Sequence, residues 1–266
     1  MKAQGKDGHV SVAARVKVMR KHGKDKETGL TRRQALTGAA ATLGFGLADG
    51  RSLSAQGRLD EERLAATLPG AKVCILTPEA VQGPFYFDPN LVRADITEAR
   101  RGAPLALTLQ VASVEDCARL KGARIDLWHA DGQGMYSGYR GQGDDGISTR
   151  GETFLRGTLL TGADGQVRFA TIYPGWYPGR TPHIHFKVFL DAANLVTGQL
   201  YFSDDRSARI YAGVAPYNDR KAKRDIVRNE EDFIFEDQGG ADTLVNVTEE
   251  GGSYLASLVI GVDRAG

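Results

Sequence analysis

The chain has 266 residues, of which 41% are hydrophobic and 25% charged, and its formal net charge is +1. That balance suits a folded protein with a proper core and offers no global attraction to nucleic acid or an anionic membrane. Glycine, at 33 residues, points to a turn-rich and therefore β-rich chain.

Charge is concentrated at the start. Residues 1–30 carry eight Lys/Arg against three acids, and the paired Arg32-Arg33 precede fifteen uncharged residues, Gln34 to Ala48. The run is too short and too rich in Gly and Ala to span a bilayer. Behind a basic region it reads as a signal segment of the twin-arginine type, over residues 1–55, which predicts export through the twin-arginine machinery to the periplasm or the exterior. The basic stretch is long for such a segment, which leaves Met19 as an alternative start. Residues 56–103 read as a short amphipathic helix, Leu59 to Leu68, and an extended arm punctuated by Pro78, Gly83-Pro84 and Pro89. Cys74 and Cys117 permit one disulfide in an exported protein, but spacing alone does not pair them.

From residue 104 to 266 the texture is that of short strands. Leu105, Leu107, Leu109 and Val111 alternate along one face, and "ARIDLWHA" alternates too. "ETFLRGTLLT" is followed by "GADGQVRFATIY", in which Asp164-Gly165 reads as a hairpin turn. "HIHFKVFL", "GQLYFS", "ADTLVNVT" and "SYLASLVIGV" follow, while "RSARIYAGV" and "KAKRDIVRNEED" look locally helical. The expected fold is all-β: an antiparallel β-sandwich core with short helices and an extended N-terminal arm.

The densest chemistry lies in "YPGWYPGRTPHIHF", Tyr173 to Phe186. On a strand His183 and His185 share one face, about 6.6 Å apart, and Ile184 and Phe186 share the other. His9 and His22 fall in the leader, so His129, His183 and His185 are the remaining imidazoles. A His-x-His pair can hold a metal but does not complete a site. Tyr136, in the Gly-rich turn after "DLWHA", and Tyr177, in a Pro/Gly loop, are further donors; a trivalent cation would deprotonate such phenols. A zinc site drawing on His183, His185 and Asp131 is a competing assignment, without a supporting motif.

The segments "QGPFY" (82–86), "DLWHADGQGMYSGY" (126–139), "FATIYPGWYPGRTPHIHFKV" (169–188) and "GQLYF" (198–202), in this order, resemble the intradiol ring-cleavage dioxygenases. The resemblance implies a non-haem Fe(III) cofactor held by Tyr136, Tyr177, His183 and His185. It implies a catechol-type aromatic diol and O2 as substrates and a cis,cis-muconate-type diacid as product. Tyr177 is then the ligand that leaves and takes up a proton, and Arg180 the group that stabilises developing negative charge. Gly83, Pro84 and Gln199 match residues that line the substrate cavity. Tyr173 matches no ligand. The chain departs from the better-known members in the short spacing from Tyr177 to His183 and in lacking a long N-terminal helical domain, so it resembles a compact, often exported branch. A noncatalytic metal- or aromatic-binding sandwich of the same fold is the alternative. Beyond the small molecules and the export machinery, the partner to consider is a second copy of the chain in a homodimer; no nucleic acid and no stable membrane span are expected.

Overall fold

Period-two burial organises the chain from residue 104 onward in a computed structural model that describes residues 75–88, 90–220 and 226–264. The signal-type segment, the helix read over 59–68 and Cys74 lie outside these residues, which all belong to one unit, Ser52–Gly266. Cys117 is disulfide-bonded. Among the described residues no helix is long and apolar enough to cross a membrane.

Among the described residues eight strands form two four-stranded sheets. β1 (Pro104–Ser113), β4 (Gln166–Ile172), β7 (Asn246–Glu250) and β8 (Ser253–Val262) make one, in the order β4-β1-β8-β7. β2 (Arg124–Trp128), β3 (Arg156–Leu160), β5 (His183–Leu190) and β6 (Ala193–Tyr201) make the other, in the order β3-β2-β5-β6. The inward residues of both sheets, Leu105, Leu107 and Leu109 from β1 and Ile125, Leu127, Ile184 and Phe186 from β2 and β5, meet in one core. This is the expected all-β sandwich. Each such side chain contributes roughly 1.5–3 kcal/mol by leaving water.

Two details differ from the pattern read along the sequence. β1 and β8 run parallel, from Leu105 beside Tyr254 to Ser113 beside Val262, while the other pairs are antiparallel. Alternation reports which face a residue occupies but not the direction of its neighbour. Asp164-Gly165 is also not a hairpin turn. Its flanking strands β3 and β4 lie in different sheets, so the turn carries the chain across the sandwich. The helix read at "RSARIYAGV" is α1 (Asp204–Gly213), capped by the Ser203 side chain. "KAKRDIVRNEED" contains only a short 3-10 turn, Asn229–Glu231, in its described part, followed by α2 (Phe233–Asp237).

The extended arm decides where the site lies. Ala80 N–H donates to Thr197 on β6, Arg93 N–H to Thr158 on β3, and Ile96 N–H to Ala170 on β4. Between these anchors the arm crosses the outer face of the second sheet. That face carries the histidines, and the arm explains why His183 and His185 are both only 2% exposed while their strand neighbours fill the core.

Candidate metal centre

Sheet register assembles the floor. His185 stands beside Trp128 of β2 and Gln199 of β6, and His183 beside Tyr201. Trp128 stacks flat on the His185 ring, with centroids 4.8 Å apart and planes 5° apart. The arm supplies the roof. Gly83 adopts φ +69°, and a Cβ there would sit 3.4 Å from His185 Cε1, so a glycine lets the backbone close over the imidazole. Phe85 stacks on Tyr136 at 4.5 Å, and Tyr86 packs on Trp128. Pro84 is exposed at the edge of this roof.

Two loops bring the phenols. After β2 the Asp131 carboxylate accepts the N–H groups of Gln133 and Met135, Gly134 turns at φ +77°, and Tyr136 N–H donates to Gln142 Oε1. Tyr136 is thereby delivered buried, 1% exposed. Tyr177 opens a tight turn closed by Arg180 N–H to Tyr177 O, with Pro178 and then Gly179 at φ +80°, the residue pattern of a type II turn. That turn also points the Arg180 side chain back toward the centre.

Four donor atoms converge. From His183 Nε2 it is 3.1 Å to Tyr177 Oη, 3.2 Å to His185 Nε2 and 3.4 Å to Tyr136 Oη. His183 Nδ1 lies 2.7 Å from Thr181 O and donates its proton there, which leaves the Nε2 lone pair facing the centre. His185 Nδ1 is buried with no hydrogen-bond partner among the described residues. Burial, and after it the Arg180 charge on His183 and the His183 charge on His185, holds both imidazoles far below their ordinary value. Burial, and then the nearness of Tyr177, pushes the Tyr136 phenol well up; burial raises Tyr177 too, against the lowering pull of Arg180. Two neutral imidazoles and two desolvated phenols therefore crowd one point. A hard cation of high charge fits this donor set, because it draws the imidazole lone pairs and turns the phenols into anionic ligands.

Arg180 reaches the same point. Its Nη1 is 3.4 Å from both Tyr177 Oη and His183 Nε2, while Nη2 donates to Gln199 Oε1. Gln199 accepts a second bond from Tyr201 and donates to Val81 O in the arm, so its amide braces Arg180 against the roof. Asp131 is committed to its turn and to Arg100, and among the described residues no three His, Cys, Asp or Glu side chains gather. The acid of a zinc site is thus not brought to these histidines. Tyr173 is a core residue, bonded to Ser207 and packed on Phe202. His129 bonds Ala130 O and Thr171 away from the cluster. Sequence reasoning missed Trp128, Tyr201 and Asp232. The first two were available from strand alternation, but Asp232 comes from a segment 52 residues beyond Arg180.

Comparison with known proteins agrees with this architecture. The family model described as Dioxygenase matches residues 78–216. An intradiol ring-cleavage dioxygenase from Tetranychus urticae is 32% identical and covers 73% of this chain and 96% of its own, with a TM-score of 0.65. The dioxygenase domain of a carbohydrate-binding fusion from Streptomyces sp. SirexAA-E is 28% identical, over 71% of this chain and 99% of its own, with a TM-score of 0.53. Catechol 1,2-dioxygenase 1 of Acinetobacter lwoffii is 28% identical over 171 residues, 56% of this chain and 51% of that protein. The chain spans about half the length of the curated relatives it matches. On the family match and the likeness over nearly all of the Tetranychus protein, the chain belongs to the intradiol ring-cleavage dioxygenases.

Proposed function

We propose that the protein is a non-haem Fe(III) enzyme that opens a catechol-type diol between its two hydroxyls, using O2, to give a cis,cis-muconate-type diacid. The convergence of Tyr136, Tyr177, His183 and His185 on one buried point carries the reading. Those four would hold the iron, which when bound supplies Lewis acidity toward the diol oxygens.

The chain's own residues perform the rest. Tyr177 sits on a short turn beside a cavity of about 230 Å³ whose walls include Phe85, Tyr136, Pro178, Asp144 and Arg220. Its ring has room to turn aside there. Away from a cation, its oxygen is a base strong enough to take a diol proton. Arg180 holds a fixed positive charge, partly buried beside the phenols, where it stabilises negative charge developing on the substrate ring. The arm over His185 and the stacked Phe85 cover the histidine side of that space.

The test is direct. Tyrosinate coordination to Fe(III) gives a visible absorption band, so the iron-loaded protein should be coloured. Anaerobic catechol should shift the band, and O2 should then be consumed with formation of the ring-opened diacid. A protein that takes up no iron and leaves a panel of aromatic diols unchanged overturns the proposal in favour of a noncatalytic binder.

We further propose export by the twin-arginine route, on the strength of Arg32-Arg33 and the uncharged run behind them. Arg32→Lys with Arg33→Lys should retain the protein in the cytoplasm of a bacterial host; unimpeded export would rule that route out.

A further inference from the structure

Among the described residues of the site one carboxylate is wholly buried, and it is not among the four donors. Asp232 is 0% exposed and precedes α2, whose first turn it caps by accepting Ile234 N–H and Phe235 N–H. A helix of five residues needs little more than that from its cap. Yet both carboxylate oxygens also receive Arg180 Nε, at 2.8 and 3.1 Å, and one accepts Thr181 N–H at 2.9 Å.

Each bond has a consequence at the centre. With Nε on Asp232 and Nη2 on Gln199, two sides of the guanidinium plane are occupied. The rigid fork then leaves Nη1 as the nitrogen aimed at Tyr177 Oη and His183 Nε2. The bond to Thr181 N–H fixes the peptide between Arg180 and Thr181, and the carbonyl on the other side of the same residue receives His183 Nδ1–H. The same carboxylate thus sets the aim of the arginine and, through one residue, the tautomer and ring orientation of the histidine. The Thr181 hydroxyl bonds Asn229 on the same connection, which holds the segment bearing Asp232 against the strand entrance.

We propose that Asp232 is a positioning residue: it orients Arg180 and, through Thr181, His183, and its negative charge offsets that of Arg180 beside the phenols. The inference deepens the dioxygenase reading and rests on it, but part of its test does not need iron.

The variants are Asp232→Asn and Asp232→Ser. Both cap a helix about as well as aspartate, so a role limited to capping leaves them unchanged. In the iron-free protein, the Arg180 Nε–H resonance of the wild type should be shifted and slow to exchange, and both variants should lose that signal. In the iron-loaded protein kcat on catechol should fall about 10- to 100-fold, the usual loss on removing a residue that orients a ligand, with a smaller change in KM. The visible band should also move, because an uncompensated Arg180 charge beside Tyr177 draws electron density from its oxygen. A variant that folds with an unchanged Arg180 signal overturns the proposal, as does wild-type kcat with a wild-type band. If one variant does not fold, the other decides. A wild-type protein that is colourless and inactive instead sinks the dioxygenase reading, and the Arg180 resonance still decides whether Asp232 orients the arginine.

Discussion

Arg180 shows how much one side chain carries here. Its Nε, Nη1 and Nη2 each have a different neighbour, and the opposing Asp232 carboxylate is fully buried. Arg180→Ala should therefore have two separable effects. Left without its partner, Asp232 becomes an uncompensated buried charge, a loss of about 3–5 kcal/mol seen by chemical denaturation. Turnover should drop about 10²- to 10³-fold while iron stays bound, as when one preorganised donor is removed from a reacting centre; turnover within threefold of wild type would remove Arg180 from the chemistry. Gly83 makes the complementary point. Its φ of +69° costs a residue with a Cβ about 1–2 kcal/mol, and the added methyl would rest on His185. Gly83→Ala should lower the unfolding free energy by about that amount, and no measurable loss would mean that the arm relaxes away from the imidazole. Much of this centre was legible in the sequence, because His183, His185, Tyr177 and Arg180 fall within nine residues of a period-two strand and its entry loop. Asp232 was not. An acid before "FIFED" reads as an ordinary helix cap, and nothing in a linear pattern tells which cap faces a buried arginine.

At the scale of elements, β5 works because its two faces have opposite duties. Ile184, Phe186 and Val188 are wholly buried in the core, and they hold the strand that carries the histidines. Register places Gly198 of β6 directly opposite Phe186, and a Cβ on Gly198 would lie 2.3 Å from Phe186 Cζ. The glycine is a slot for the ring. Gly198→Ala should cost about 1–3 kcal/mol through overpacking. Because the fault lies in one contact, Phe186→Leu in the same chain should recover part of that loss. A double-mutant cycle gives the coupling, and strict additivity would show that the ring is not the obstacle. Alternation made these strands visible, since period two marks faces. It did not reveal that β1 and β8 run parallel, or that the Asp164-Gly165 turn changes sheets. Both depend on contacts between distant segments, and local turn chemistry is indifferent to which sheet the next strand joins.

For the whole molecule, the arm covers an outer sheet face and helps bury its histidines, and burial of histidine has a consequence for stability against acid. His129, His183 and His185 are all buried, and burial is the first cause of the lowered proton affinity of each. His129 is the one that stands apart from the candidate iron ligands. It donates Nδ1–H to Ala130 O and accepts from the Thr171 hydroxyl at Nε2, so the fold uses its neutral form. Its pKa falls from about 6.5 to about 4 in the folded chain. Between those values the unfolded chain binds the proton and the folded chain does not, so stability is full above pH 6.5 and declines as pH falls toward 4. The size of the decline from this residue is about 3 kcal/mol, at roughly 1.4 kcal/mol for each unit of pKa difference. Denaturation midpoints from pH 7.5 to 4 should trace that loss in the wild type. His129→Gln keeps a donor and an acceptor but has no proton to gain, so its stability should depend on pH less steeply by about that amount over the same window. Parallel pH profiles for the two proteins would show that His129 is not held neutral by the fold.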